Sequence, residues 1–327
     1  MTNHDEAAAT DLDALVDGVG RRLDGGARSP FVLDVDRAWV VRHGHVDVFS
    51  VRADGDHGAG PRTHLVRVSA GGALFGHDPV DAGRCLLAVG ANGAEVVAVE
   101  AASLFARARA AGLSPALDRI TDGWVDALCT GMARDVLVPK KCLELAPGAE
   151  VSIKPNTAAR PAPGVCWIKH LEGHSWLLGR EGLEVNGHGF TPLSRPTWLQ
   201  VREKARAILV QTDGLPSDAD RWHGLTHLHA LTLRYADLVE AQARIDEADR
   251  MRQRAAARLA GVRQTCVHLA ATMQRSRVSA EQVTRQMSAD TADEALLAAA
   301  RLVGDTMAVT VRTPAAHQGA ASPRDPL

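Results

Sequence analysis

Trp39-Val-Val-Arg-His-Gly-His-Val-Asp-Val-Phe49 is answered later in the chain by Trp167-Ile-Lys-His-Leu-Glu-Gly-His-Ser-Trp-Leu177. Each stretch reads as a strand, a polar turn containing glycine, and a second strand. Val40, Val46 and Val48 alternate as a half-buried strand requires. The first copy leads to Ala73-Leu-Phe-Gly76. The second leads to Gly189-Phe-Thr-Pro-Leu193 and a further strand over 197–202. The repeat predicts two β-rich modules in tandem, a duplicated binding scaffold rather than one catalytic core.

The flanks extend this reading. In residues 1–30, Leu12, Leu15, Val16, Val19 and Leu23 have the spacing of one short helix. Residues 31–137 hold the first β-roll module and the helices that follow it. Its hairpin loop is the turn-rich Asp54-Gly-Asp-His-Gly-Ala-Gly-Pro61, its returning strand is His64-Leu-Val-Arg-Val68, and its closing strands lie over 85–89 and 95–99. Leu117, Ile120, Trp124, Leu128 and Met132 then mark one helix face. Residues 138–215 form the second β-roll module, with Pro147-Gly148 turning between two strands inside 143–153.

Residues 216–276 read as one long helix, with the N-cap region at Ser217-Asp-Ala-Asp. Leu231, Leu238, Ile245, Leu259, Cys266 and Met273 share one heptad position, interrupted by Arg252. The second row, Leu228, Tyr235, Gln242, Asp249 and Ala256, is more polar. The first row serves either as a dimer seam or as the face of a helix lying on the chain's own β-modules. Residues 277–312 are expected to hold a helix over 291–304 and a strand over 307–312. Residues 313–327, rich in Pro, Ala and Ser, are expected to be disordered. The fold class expected is α+β: two tandem jelly-roll-like β-rolls with flanking helices and a long C-terminal helix.

At 327 residues and 46% hydrophobic content, the chain can bury substantial cores. With Lys and Arg numbering 37 and Asp and Glu 39, it has no nucleic-acid footprint. Cys85, Cys129, Cys142, Cys166 and Cys266 are scattered, without a CxxC pair. They read as reduced thiols, not as a zinc or disulfide framework. The N-terminus has no apolar signal core, and no stretch reaches the ~18–20 apolar residues of a membrane span.

Two constellations bear on chemistry. His43 and His45 with Asp47, and with His64 and His77 in reserve, invite a cupin-type metal site. Asp47 follows His45 too closely for the usual spacing, so solvated histidines are expected and no metal is assigned. Gly71-Gly-Ala-Leu-Phe-Gly-His-Asp-Pro-Val-Asp-Ala-Gly-Arg84 is the more specific motif. It resembles the phosphate-binding cassette of cyclic-nucleotide-binding domains, in which backbone N–H groups and one Arg hold the phosphate and a Glu holds the ribose hydroxyl. Phe75, Gly76 and Arg84 match it. His77 replaces the Glu, and Cys85-Leu86 replaces the small residues after the Arg. No phosphate loop, Gly-x-Ser-x-Gly elbow or protease-like Cys is present, so no catalytic residue and no cofactor are assigned. The charges from Glu240 to Arg263 read as a solvated helix face.

Taken together, these stretches resemble the N-terminal cytoplasmic region of the permease/ATPase subunit of NHLM-type (nitrile-hydratase-like leader) bacteriocin exporters, which contains cyclic-nucleotide-binding-like domains. Further matching stretches are Leu86-Leu-Ala-Val-Gly90, Asp122-Gly-Trp-Val125, Pro192-Leu-Ser-Arg-Pro-Thr-Trp198 and Ala298-Ala-Ala-Arg-Leu-Val-Gly304. The resemblance implies a non-catalytic accessory region of an ABC exporter for ribosomally made, leader-bearing peptides. It implies a position on the cytoplasmic side of the inner membrane, attached through a following membrane domain. Its implied partners are a leader or precursor peptide, the transporter's membrane and ATPase domains, and a second copy or a sister subunit. Membrane spans and ATPase motifs are absent from these 327 residues, so the chain is either an excised piece or a stand-alone homologue. The alternatives are a cyclic-nucleotide-like ligand sensor and a cupin-type metalloprotein.

Overall fold

The computed structural model describes residues 11–24, 29–34, 36–54, 57–77, 83–148 and 150–286. The chain divides into two compact units, Met1–Ala243 and Arg244–Leu327.

In the first unit, residues 11–16 are helical and bury Leu12, Leu15 and Val16. The helix stops short of the expected Leu23. Gly18 takes a left-handed φ of 76°, and a Cβ on Gly20 would lie 2.2 Å from the side chain of Val97. Val19 is exposed, and Leu23 belongs to a strand instead.

Eight strands follow: β1 (Arg21–Asp24), β2 (Phe31–Val32), β3 (Arg37–His43), β4 (His45–Asp54), β5 (His57–Ser69), β6 (Ala73–Phe75), β7 (Arg84–Gly90) and β8 (Glu95–Glu100). They make two four-stranded antiparallel sheets in the orders β1-β8-β3-β6 and β2-β7-β4-β5. Chain-distant strands pair in both sheets, which is the connectivity of a jelly roll. The β4–β5 hairpin runs further than the sequence predicts, with Asp54 paired to His57. Two register shifts and the left-handed Gly60 absorb the glycines read as loop.

The second module repeats this plan. Its strands are β9 (Leu143–Leu145), β10 (Glu150–Ile153), β11 (Thr157–Pro161), β12 (Val165–Glu172), β13 (Ser175–Leu177), β14 (Glu184–Val185), β15 (Thr191–Ser194), β16 (Leu199–Val201) and β17 (Ala205–Val210). The sheets run β10-β17-β12-β15 and β14-β13-β16-β11-β9. Counted from β10, the eight strands reproduce the order of the first module, and β9 is an addition parallel to β11. Trp39 on β3 and Trp167 on β12 therefore occupy equivalent third strands. Trp39 pairs with Leu74 and Ala98, and Trp167 with Pro192 and Val210. Both indoles are buried.

Besides residues 11–16, the described residues hold three longer helices: α1 (Ala101–Ala110), α2 (Ser114–Ala133) and α3 (Asp218–Gln286). Helix α2 begins with Pro115 in its first turn, where a missing N–H costs nothing. It buries Leu117, Ile120, Trp124, Val125, Leu128 and Met132, and it packs on strands of both modules. A Cβ on its Gly131 would meet the Leu65 carbonyl at 2.4 Å, so glycine allows the helix to lie against β5. Ser217 caps α3: its Oγ accepts from the Asp220 N–H at 3.1 Å and donates to that residue's carboxylate at 2.6 Å. Leu225, Leu228, Leu231 and Leu233 then join the core that both modules share. Gly224 lets the helix approach, since a Cβ there would lie 2.4 Å from the Phe190 carbonyl and 2.5 Å from the Trp167 ring.

The second unit contains residues 244–286 of α3, which continue ten residues past the expected end at 276. No Gly or Pro interrupts the sequence from 262 to 286. The segments expected over 291–304, 307–312 and 313–327 lie outside the described residues. Among the described residues, no helix is long and apolar enough to cross a membrane.

Candidate functional site

The mouth of the first jelly roll is built around Arg84. Along β7, Leu86 and Ala88 point into the main core, while Cys85 and Leu87 join a small cluster with Val51 on the other face. By strand alternation Arg84 shares the inward face. Its side chain is only 2% exposed. Nη1 donates to Ser50 Oγ at 3.1 Å, Nε donates to the Asp237 carboxylate, and Nη2 donates to the Glu240 carboxylate. Asp237 and Glu240 are three residues apart on α3 and so face the same way. Arg52, which stands opposite Arg84 in the β4–β7 register, lies 3.6 Å from Glu240. Two neighbouring arginines would repel. The two helix carboxylates balance them charge for charge.

Phe75 and Gly76 hold the sheet end of the same motif. Phe75 is fully buried at the end of β6. A Cβ on Gly76 would fall 1.6 Å from the Asp34 carbonyl, while the Gly76 N–H donates to the Arg37 carbonyl at 2.8 Å. Glycine is required there for close backbone approach, whatever the site binds. His77 is buried, and its Nε2 accepts the Leu86 backbone N–H at 3.2 Å. The imidazole thus serves as a ladder acceptor at the start of β7, where the resemblance would put a ribose-binding carboxylate.

Behind it, the His229 ring lies 5.8 Å from the His77 ring and accepts the Trp124 indole N–H at 2.8 Å. Burial drives the His229 pKa well below the ordinary histidine value, so the ring is neutral, and with Nε2 accepting, its proton sits on Nδ1. That Nδ1 is among the buried atoms without a hydrogen-bond partner.

His77 meets β7 at Leu86, two residues past Arg84, while Arg84 itself turns to Ser50, Asp237 and Glu240. Sequence reasoning missed the closing partners, Asp237 and Glu240, more than 150 residues away. A pair of acids three apart on a helix otherwise facing the core was their only signal.

The histidine constellation does not converge. Gly44, with φ of 73°, is the turn between β3 and β4, so His43 and His45 lie on strands of different sheets rather than alternating along one. Asp47 accepts two bonds from Arg67 at 2.8 Å each and contacts His64 at 3.1 Å. The Arg67 guanidinium bonded to it holds the Asp47 carboxyl at about 2. Among the described residues, no group of three or more His, Cys, Asp or Glu is placed to hold a metal ion.

In the second module, the equivalent of the cassette is the short link Arg195-Pro196-Thr197-Trp198 between β15 and β16. Thr197 closes it by bonding the Ser194 carbonyl through N–H at 3.0 Å and Oγ1 at 2.8 Å. His170 bonds Ser175 Oγ at 2.9 Å and His227 bonds Thr191 Oγ1 at 2.8 Å. Burial pushes both histidines down to about 4.

The row of heptad residues on α3 divides between the units. Leu231 is buried in the core of the first unit, and Leu238 packs against that core. Ile245, Leu259, Cys266 and Met273 are exposed.

No protein-family model matches the chain, and no curated protein matches it. Among solved structures, it is similar to the regulatory domain of Toxoplasma gondii PKA with cAMP, at 10% identity over 74% of this chain and 98% of that one, TM-score 0.21. It is also similar to a CooA variant from Carboxydothermus hydrogenoformans, at 13% identity over 42% and 83%, TM-score 0.28. A third similarity is to the Thermus thermophilus catabolite activator protein, at 20% identity over 41% and 62%, TM-score 0.21. The jelly-roll assignment rests on the strand order of the two modules.

Proposed function

We propose that the chain is a non-catalytic regulatory region of an ABC exporter for ribosomally made, leader-bearing peptides, acting on the cytoplasmic side of the inner membrane. The sequence stretches from Trp39 to Gly304 support the exporter context. The observation that carries the regulatory reading is the buried Arg84, whose charge is met by Asp237 and Glu240 of α3. In a ligand-loaded site an external anion would take those bonds. Here the chain's own helix takes them, which makes the mouth of the first jelly roll a joint between a β-roll and a helix. Its partners on this reading are the leader peptide and the membrane and ATPase domains of the exporter.

A second reading has its own support. Asp237 is half exposed, so a soluble anion could displace it from Arg84 and turn the joint into a ligand sensor. His77 argues against a cyclic nucleotide as that anion, because its acceptor nitrogen is already used by Leu86.

The test of the exporter reading is binding of a fluorescein-labelled leader peptide, taken from a precursor encoded beside this gene, followed by anisotropy. Saturable binding below ~10 μM, lost on scrambling the leader, is expected. No binding up to ~100 μM, or no precursor and no transporter gene nearby, overturns it.

A further inference from the structure

The exposed part of α3 carries a second apolar row that complements the first. Counting Leu259, Cys266 and Met273 as one heptad position, the position three residues on is Val262 and Leu269, preceded by Ala248 and Ala255. Leu259 is 63% exposed, Val262 60%, Leu269 43% and Met273 38%. The spacing of 3, 4, 3 and 4 residues from Leu259 to Met273 makes a narrow stripe of period 3.5. That is the geometry of a coiled-coil seam rather than of a broad face for a sheet or lipid.

The charges decide who covers it and in which direction. A parallel pair of identical helices would stack Arg252 on Arg252 inside the seam and set Arg258 beside Arg263 of the other helix. An antiparallel pair centred at Gln264 does neither. It sets Leu259 against Leu269 of the second copy, Val262 against its Cys266, and the bulky Met273 against its small Ala255. Asp249, which bonds Arg252 of its own helix at 2.5 Å, then lies beside Arg277 of the second copy at both ends, and Arg252 faces Ser276. One like-charge contact remains, between the two Arg263 side chains at the centre, where long guanidinium groups can splay into water.

We propose that residues 251–277 pair with the same residues of a second copy of this chain in an antiparallel coiled coil. The roughly 27 residues of overlap give a contact about 40 Å long at 1.5 Å per residue. Large-to-small matching and the avoided Arg252–Arg252 stack fix the register, and this inference stands whether or not the exporter reading does.

Cysteine cross-linking of the full chain tests both partner and direction. In a Cys142→Ser background, chains carrying Val262→Cys with Cys266→Ser are mixed with chains retaining Cys266, then oxidised with copper phenanthroline. The mixture is expected to give a cross-linked dimer, roughly fivefold or more above either chain alone, because disulfide geometry demands close approach. Leu259→Asp with Leu269→Asp is expected to abolish the cross-link and to halve the mass seen in sedimentation, while leaving the helix content of the first unit intact. A Cys266–Cys266 link in the unmixed chain would show a parallel pair and overturn the proposal. A monomer at ~100 μM with no cross-link would overturn it as well.

Discussion

Removing the two carboxylates that hold Arg84 should cost far more than removing Arg84 itself. The arginine is 2% exposed and keeps one neutral partner, Ser50 at 3.1 Å. In Asp237→Asn with Glu240→Gln, a guanidinium stays in the sandwich mouth without an opposite charge, a situation that costs about 3–5 kcal/mol. In Arg84→Met the volume is kept and the charge leaves. Asp237 is 50% exposed and Glu240 24%, so both can rehydrate, and the loss should be about 0–2 kcal/mol. A unit of this size loses roughly 2–4 °C per kcal/mol, so the double variant should melt about 6–20 °C lower and Arg84→Met within about 8 °C. Phosphate supplies the missing anion: at ten times its dissociation constant it should return about 1.4 kcal/mol to the double variant and nothing to Arg84→Met. Differential scanning calorimetry of the three proteins, with and without phosphate, measures this. A double variant that melts within ~1 °C of wild type would refute the joint, because Arg84 would then owe nothing to α3.

Three further outcomes are expected. Cyclic AMP and cyclic GMP should bind more weakly than ~100 μM by calorimetry, since the His77 acceptor is used by Leu86 and Arg84 is bonded to α3; an unmatched polar group alone costs about 1–3 kcal/mol. His170 and His227 are held at about 4 by burial, below their unfolded value near 6.5. The unfolded chain therefore binds more protons between these values. Their contribution is complete above pH ~6.5 and is lost as pH falls toward 4, roughly 1–3 kcal/mol each, so melting temperatures that do not fall between pH 7.5 and 4.5 would contradict it. Gly76→Ala and Gly224→Ala, whose added Cβ atoms meet backbone carbonyls at 1.6 and 2.4 Å, should each lower the urea midpoint by an amount worth about 1–3 kcal/mol or more, whereas Gly182→Ala, which meets nothing, should cost only the strain of its left-handed φ.

The two jelly rolls were legible because the duplicated Trp stretches carry a strand-turn-strand pattern that local physics enforces. Gly44 and Gly173 turn with positive φ at equivalent places, and each Trp is buried on the third strand. The N-terminal helix was overdrawn at Val19 and Leu23 because apolar spacing over a dozen residues does not separate a helix from a helix-turn-strand unless the glycines are weighted. The partners of Arg84 were not legible. Asp237 and Glu240 sit in a run of ordinary helix charges, and only the folding of α3 across the first module makes them its partners. The division of the heptad row at Ala243 was also hidden. Leu231 and Ile245 have the same heptad phase in the sequence, yet one lies in a shared core and the other in water.

The two modules differ in the link that precedes β7 in one and β16 in the other. Their strand orders agree, so any contrast lies in what was inserted between the same strands. Between β6 and β7 the first module has eight residues, Gly76 to Gly83, leading to a buried arginine. Between β15 and β16 the second has four, closed on themselves by Thr197, and its β16 starts with buried Leu199 where β7 starts with Arg84. Four residues cannot form even one capped helical turn with backbone N–H groups directed at an anion. The second module instead holds the entry to α3: Trp167 bonds Thr212 in the turn before the helix, Thr212 bonds Asp122 of α2, and Gly224 of α3 lies against the Trp167 ring. One copy of the duplicated roll thus holds the helix through packing, and the other meets it through Arg84, Asp237 and Glu240. Arg84 therefore meets α3 at Asp237 and Glu240, beyond the segment at Gly224 that the second module holds.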